Sequence, residues 1–369
     1  MKITCPQDQL LSAVTIALRA VPVKTTMPIL ECLVLKVTPD QIQFLANDME
    51  MGIETGVSGT IEEPGTVAVD AKVFSDIIRK LPSNDVTIVS DESCNISITC
   101  EKARFRILGK SAEEFPPIPE IERNRSIAMT QFTLKEMIRQ TVFSIADNDS
   151  NRIMNGEYFE VSGDWLRMIT LDGHRISIRK VQLKQSYEDI RVIVPGKTLN
   201  EISRIIAGDT EREVNLFFTD KHIVFEFDET LVISRLIEGN YYKVDQMLSK
   251  DYETKINVNK RDFLDCLDRA MLLVKESEKK PIILKIDDSG MELKINTSIG
   301  SMNEEMDIVK EGKDIMIGFN PRFLLDALRV IDEETITMYL FNPKAPCFIK
   351  DKDETYIYLI LPVNFSGMG

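Results

Sequence analysis

Histidine is nearly absent from this chain. Among 369 residues only His174 and His222 occur. Neither stands with cysteines or carboxylates at metal-ligand spacing, so no zinc site is expected. The six cysteines, Cys5, Cys32, Cys94, Cys100, Cys266 and Cys347, are scattered without a CxxC pair. They read as reduced, mostly buried thiols of a cytosolic protein. There is no P-loop, no Rossmann fingerprint and no nucleophile elbow, so neither a cofactor nor a catalytic centre of those kinds is expected. No apolar run reaches about 18 residues, the length a membrane-spanning helix needs. The apolar start is broken by Asp8 and Arg19, so it is not expected to be a signal peptide. These absences point to a cytoplasmic protein with no metal, no cofactor and no membrane partner.

Basic residues are also in deficit. Lysine and arginine number 45 against 59 acids, a formal charge of −14. A surface that is basic everywhere is thereby excluded, but nucleic acid is not. A groove or ring can be basic inside and acidic outside, and the acidic outside then confines the polyanion to one place. The apolar fraction of 43% suffices for real cores, and the length allows two or three domains.

What the chain has is repetition. Segments 71–81, 196–206 and 321–331 superimpose on a slide of 125 residues. Lys72, Lys197 and Arg322 align, as do Asp76, Glu201 and Asp326, and Arg79, Arg204 and Arg329. Base, acid and base at i, i+4 and i+7 share one helical face. Phe74, Leu199 and Leu324 align on the opposite face, with Ile77, Ile202 and Ala327, and with Leu81, Ile206 and Ile331. Each copy is predicted to be an amphipathic helix with an ion pair of its own on the outer face. One such helix is ordinarily just a solvated surface. Three in one register suggest a surface tuned to a polyanion.

The repeat extends further. Each copy opens with a short strand and a helix, such as the stripe Leu10, Val14 and Leu18. Strands are predicted at 29–37, 42–47, 52–58 and 66–70 before the first charged helix, and three more after it. The second copy gives 158–161, 166–170, 175–181 and 191–194, then 214–218, 223–227 and 231–237. The third gives 282–286, 292–296, a polar 301–309 and 315–318, then 335–340, 347–350 and 356–361. Phe115-Pro116-Pro117-Ile118-Pro119 and Gly239-Asn240-Tyr241-Tyr242 read as linkers. The expectation is an α+β protein of three similar domains, at 1–122, 123–250 and 251–369, each with antiparallel strands and two helices on one face.

Two local stretches stand out. Leu171-Asp172-Gly173-His174-Arg175-Ile176 lies between two strands, with Asp-Gly as the turn. Asp172 and His174 could form an acid–base pair. The plainer reading is a β-turn that ties His174 and Arg175 to a neighbouring domain. The apolar end, Tyr356 to Phe365, is read as a last strand that Pro362 terminates. An apolar tail beside an interdomain cleft is a plausible place to catch a peptide.

The threefold unit resembles a known family. Its motifs are Thr26-Met27-Pro28-Ile29-Leu30, Asp172-Gly173-His174-Arg175, Val194-Pro195, Glu238-Gly239-Asn240-Tyr241, Gly318-Phe319-Asn320 and Leu361-Pro362. Together, and over essentially the whole length, they resemble the bacterial sliding clamp, the beta subunit of DNA polymerase III. That resemblance implies the DNA clamp fold, with sheets outside and helices inside. It implies a head-to-tail homodimer closing a six-domain ring around duplex DNA. Such a ring is a processivity factor and not an enzyme. It slides without reading sequence and tethers the replicative polymerase, the clamp loader and repair proteins through short peptides.

By the same resemblance, Lys24, Lys72, Arg79, Arg152, Lys197 and Arg204 face DNA. The partner pocket takes Met154, Leu171, Gly173, His174, Arg175, Ile176, Tyr242, Met247, Asn320, Phe323, Pro346, Leu359, Ile360, Leu361, Pro362 and Val363. It would accept a motif with a Gln and a terminal Leu/Phe pair. The dimer seam takes Phe105, Ile107, Leu272 and Leu273. Tyr242, Gln246, Lys344 and Asn364 depart from the residues common in the family, and 365–369 runs a little past its usual end. Two other readings stay open at this point. One is a hydrolase using Asp172 and His174. The other is a protein scaffold that never encloses DNA.

Overall fold

The computed structural model of the chain describes residues 1–146, 151–275 and 280–365, so the last four residues lie outside it. It divides into two compact units. One comprises Met1–Leu134 with Lys197–Leu236, the other Lys135–Gly196 with the chain from Ile237 onward.

The first repeat contains β1 (Lys2–Pro6), α1 (Gln7–Ala17), β2 (Cys32–Val37), β3 (Ile42–Asn47), β4 (Met51–Val57), β5 (Thr60–Glu63) and β6 (Gly65–Asp70). It continues with α2 (Ala71–Lys80), β7 (Asp85–Ser90), β8 (Asn95–Cys100) and β9 (Ala103–Leu108). The middle repeat contains β10 (Ser126–Thr130), α3 (Gln131–Thr141), β11 (Gly156–Leu171), β12 (Arg175–Pro195), α4 (Gly196–Ile205), β13 (Glu213–Phe218), β14 (His222–Phe227) and β15 (Thr230–Arg235). The last repeat contains β16 (Thr254–Asn259), α5 (Lys260–Met271), β17 (Ile282–Asp287), β18 (Gly290–Thr297), β19 (Gly300–Met306), β20 (Ile308–Gly312) and β21 (Ile315–Phe319). It ends with α6 (Pro321–Val330), β22 (Thr335–Leu340), β23 (Cys347–Lys350) and β24 (Tyr356–Ile360).

The strands form four antiparallel sheets. The first unit holds a five-stranded sheet, β5-β1-β7-β8-β9, and an eight-stranded one, β10-β13-β14-β15-β4-β3-β2-β6. The second holds a seven-stranded sheet, β11-β12-β24-β23-β22-β16-β20, and a four-stranded one, β19-β18-β17-β21. Two of these sheets join neighbouring repeats. In the first unit β15 pairs with β4, Val232 opposite Ile53. In the second β12 pairs with β24, Ile176 opposite Leu359. Strands β9 and β19 are outer strands of their sheets.

The charged helices bury the expected faces. Phe74, Leu199 and Leu324 are fully buried, as are Ile202 and Ala327. In α2 the buried position falls on Ile78, and Ile77 is only partly covered. Caps fix where these helices begin. Asp70 accepts from the Val73 amide at 2.8 Å, and Asn320 accepts from Arg322 just before Pro321 at the first helical position. Helices α1 and α2 pack on each other in the first unit, where the Phe44 and Phe74 rings lie 5.9 Å apart. Helices α5 and α6 do the same in the second, with Phe263, Leu267, Leu324 and Leu328 in one core.

Several sequence expectations need correction. The strand predicted at 29–37 starts at Cys32, because Pro28–Glu31 forms a 3-10 turn that buries Ile29 and Leu30. Strands predicted at 158–161 and 166–170 are one strand, β11, and those at 175–181 and 191–194 are one strand, β12. The polar stretch around Gly163 is a bulge (φ +59°) opposite Tyr187, and pairing continues on either side of it. The polar strand at 301–309 is two strands, β19 and β20, that pair with different neighbours. Strand β5 carries no apolar alternation and was not expected.

Candidate nucleic-acid and peptide interfaces

The bases come first. Lys72 and Arg79 on α2, and Lys197 and Arg204 on α4, are exposed on the first unit, as is Lys24 in the segment before Pro28. Arg152 is exposed on the second unit, heading a 3-10 turn that Asn151 caps. The expected ion pair within each helix forms in α2 and α4. Arg79 lies 3.9 Å from Asp76, and Arg204 lies 2.7 Å from Glu201. Exposed pairs of this kind contribute little stability, so the arginines remain available to phosphates. Lys197 also meets Asp48.

In α6 the expectation fails. Asp326 bonds Arg175 at 2.7 Å, and Arg329 turns to Asp268 on α5 at 3.0 Å. The reason is desolvation. Arg175 is only 8% exposed, and a buried guanidinium attracts a carboxylate more strongly than a solvated one does.

Residues expected in the partner pocket gather on the second unit around a buried cluster of Ile169, Leu171, Ile176, Ile178, Val244, Phe348 and Leu359. Met154, Tyr158, Tyr241, Tyr242 and Leu248 pack partly exposed against it. Tyr241 stacks on Tyr158 at 4.9 Å, and the Tyr242 hydroxyl accepts from Asn151 at 2.6 Å. Met247 is 46% exposed at the end of a 3-10 turn, and Pro346 is half-buried just before β23.

A second cluster of the set gathers on the turn before β12. Gly173 has φ +83°, a conformation that favours glycine. The Asp172 carboxylate accepts from the amides of His174 and Arg175 and from the Arg175 Nε. It is thus engaged away from the imidazole, and His174 stacks on Phe323 at 6.0 Å. The Arg175 guanidinium lies 4.3 Å from the Phe323 ring centre. The tail crosses this cluster: the Leu361 amide donates to the His174 carbonyl at 2.8 Å, and Val363 donates to Gly318 at 2.8 Å. Leu361 and Val363 are exposed beside Pro362, and Asn320 caps α6.

One expected pocket residue points elsewhere. Strand alternation puts Leu359 in the groove cluster but Ile360 in the core beneath α5 and α6. The residues expected at a dimer seam are divided between the units. Phe105, Ile107 and the 82% exposed Leu108 lie on the outer strand β9 of the first. Leu272 follows α5 in the second, 79% exposed, with Leu273 half-buried beside it.

Three family models match along the chain. They describe the N-terminal domain of the DNA polymerase III beta subunit at residues 1–119, its central domain at 128–243 and its C-terminal domain at 245–364. The chain belongs to the DNA polymerase III beta-subunit family, the bacterial sliding clamps. It is 33% identical to the beta sliding clamp of Bacillus subtilis, over 99% of this chain and 100% of that one. It is 30% identical to the Staphylococcus aureus beta sliding clamp, over 99% of each. The crystal structure of a DNA polymerase III beta subunit from Eubacterium rectale superposes with a TM-score of 0.95 at 60% identity, covering 99% of this chain and 100% of that one. The three-domain clamp fold and the role of DNA polymerase processivity factor follow from membership.

The cluster beside the expected pocket residues also contains side chains that the sequence did not single out. Ile169 and Ile178 lie two positions from Leu171 and Ile176 on the same strand faces, so period-2 alternation carried that signal. Val244, Phe348 and Tyr241 carried none. Asp326 was visible only as the aligned acid of the third charged helix.

Proposed function

We propose that two copies of this sliding clamp close head to tail into a six-domain ring around duplex DNA. The observation that carries this reading is the way repeats join. The fourth strand of the first repeat, β4, pairs with the last strand of the second, β15. The corresponding part of the second repeat, in β12, pairs with the last strand of the third, β24. Repeating the rule leaves β19 of the third repeat for β9 of a first repeat, supplied by a second copy. Edge strands left open invite such pairing, and a closed ring removes them.

In this reading the domains run 1–122, 123–250 and 251–369. Phe105, Ile107, Leu272 and Leu273 form the seam. Lys24, Lys72, Arg79, Arg152, Lys197 and Arg204 contact phosphates without reading bases. The groove around Met154, Leu171, His174, Tyr242, Met247, Phe323 and Leu361 takes the Leu/Phe anchors of polymerase, clamp loader and repair proteins. The clamp works in the cytoplasm, on the nucleoid, and has no catalytic site. With its oxygens on Arg175 and two amides, Asp172 is poorly placed to serve His174 as an acid–base partner. Among the described residues no helix is long and apolar enough to cross a membrane.

Sedimentation equilibrium tests the seam. A ring requires a mass of twice 42.0 kDa at micromolar protein. A species of 42.0 kDa at all concentrations would remove the basis for a closed ring.

A further inference from the structure

Asp326 holds on α6 the place that Asp76 holds on α2 and Glu201 on α4. In those helices the acid pairs with the arginine three residues on. In α6 it accepts instead from Arg175 Nη1 at 2.7 Å, and Arg329 pairs with Asp268. The same guanidinium donates through Nε to Asp172 at 2.9 Å and through Nη2 to the Phe143 carbonyl at 2.6 Å, against the Phe323 ring. One side chain therefore ties together the His174 turn, α6 and the segment after α3. His174 and Phe323 stack on each other beside it, and His174 anchors the tail at Leu361.

We propose that Asp326 is a positioning residue for partner peptides, acting through Arg175, and that it couples the groove to the bases of α6. This rests on the groove reading above and on the alignment of Arg322 and Arg329 with the bases of α2 and α4 that are read as facing DNA. The structure shows the Asp326 carboxylate on Arg175, and α2 and α4 show the alternative, an acid paired with the arginine of its own helix. It can stay on Arg175, or swing back to its own helix, where Arg322 and Arg329 lie four and three residues away. Phosphates at Arg322 and Arg329 disfavour a carboxylate between those bases and so favour the first arrangement. Peptide anchors resting on Phe323 and His174 need Arg175 in place, and favour the same arrangement. Two ligands that select one state tighten each other by an equal factor.

The test is a fluorescence-polarisation titration with a labelled synthetic peptide carrying a Gln and a terminal Leu-Phe. It is run on the free clamp and on the clamp loaded onto nicked plasmid circles. The wild type is expected to bind the peptide about 5-fold more tightly when loaded. Asp326→Asn keeps an acceptor for Arg175 but loses the charge, and should bring the loaded-to-free ratio close to one. Glu201→Gln alters the equivalent acid of α4 and should keep the wild-type ratio. A merely structural role for Asp326 would weaken both affinities alike and leave the ratio intact. A wild-type ratio of one, or an unchanged ratio in Asp326→Asn, would overturn the inference and leave the groove reading standing. No peptide binding by the free wild type would overturn both.

Discussion

The Val363 amide donates to the Gly318 carbonyl at 2.8 Å, and a Cβ on Gly318 would stand 2.7 Å from the Val363 oxygen. The same Cβ would come within 2.8 Å of the Phe365 ring. Glycine at the next-to-last position of β21 thus lets the tail approach closely after Pro362, with Leu361 and Val363 exposed. Gly318→Ala pushes the tail off at a cost of about 1–3 kcal/mol. Peptide affinity should fall while the dimer mass stays unchanged. An unchanged affinity in a fluorescence titration would remove the tail from the groove.

The four bases of α2 and α4 should act as phosphate contacts. Changing Lys72, Arg79, Lys197 and Arg204 to Ala together should shorten retention on DNA circles and flatten its salt dependence. Each lost phosphate contact reduces the log–log salt slope by about 1. Lys72, Arg79 and Arg204 are exposed with weak or exposed pairings, so their loss should hardly move thermal stability. Loss of Lys197 leaves the buried Asp48 carboxylate without its ion-pair partner and should account for any fall in Tm. A salt slope equal to wild type would mean that these helices do not face DNA.

The proposed seam combines apolar and charged groups. Phe105 and Ile107 alternate on β9 with the exposed Arg104 and Arg106, and β19 carries Glu304 and Glu305. Phe105→Ala combined with Leu272→Ala should yield a folded protein of 42.0 kDa. Wild-type dimers should dissociate more readily in molar salt, which screens exposed charges. A double variant that sediments as the wild type does would place the seam elsewhere.

Glu157 is fully buried on β11, and neither carboxyl oxygen has a hydrogen-bond partner. Burial pushes its carboxyl up to about 8. The Thr141 hydroxyl beside it pulls weakly the other way, its proton engaged by the Met137 carbonyl at 2.7 Å. An unfolded glutamate releases its proton near about pH 4.3. Between that pH and 8 the folded state holds a proton that the unfolded state has lost. Stability therefore falls as pH rises through this window, by roughly 1.4 kcal/mol per pH unit for this one group. Glu157→Gln lacks the effect, so its Tm advantage over wild type should grow from pH 5 to pH 8.5. A constant difference would show that Glu157 is ionised in the fold or hydrated.

The charged helices were legible because base, acid and base recur at a fixed period, and their apolar positions recur with them. Phe74, Leu199 and Leu324 were assigned to cores on that ground, and they are buried. The way repeats share sheets was not legible. Nothing in Thr230–Arg235 says that its partner is β4, because an alternating strand pairs equally well with many others. Strands 158–161 and 166–170 were kept apart across the Gly163 bulge because polar composition cannot distinguish a break from a ladder that continues. Asp326 looked identical to Asp76 and Glu201, and only the burial of Arg175 sets it apart. Ile360 was placed with Leu359 by the family resemblance, whereas neighbours on a strand face opposite sides.

The most direct test of a ring uses topology. The clamp is loaded onto a nicked circular plasmid by its clamp loader with ATP, the complex is isolated by gel filtration, and the DNA is then linearised. An encircling ring stays with the circle and falls away from the linear form. Equal retention on both would show binding by ordinary surface affinity, and contradict encirclement.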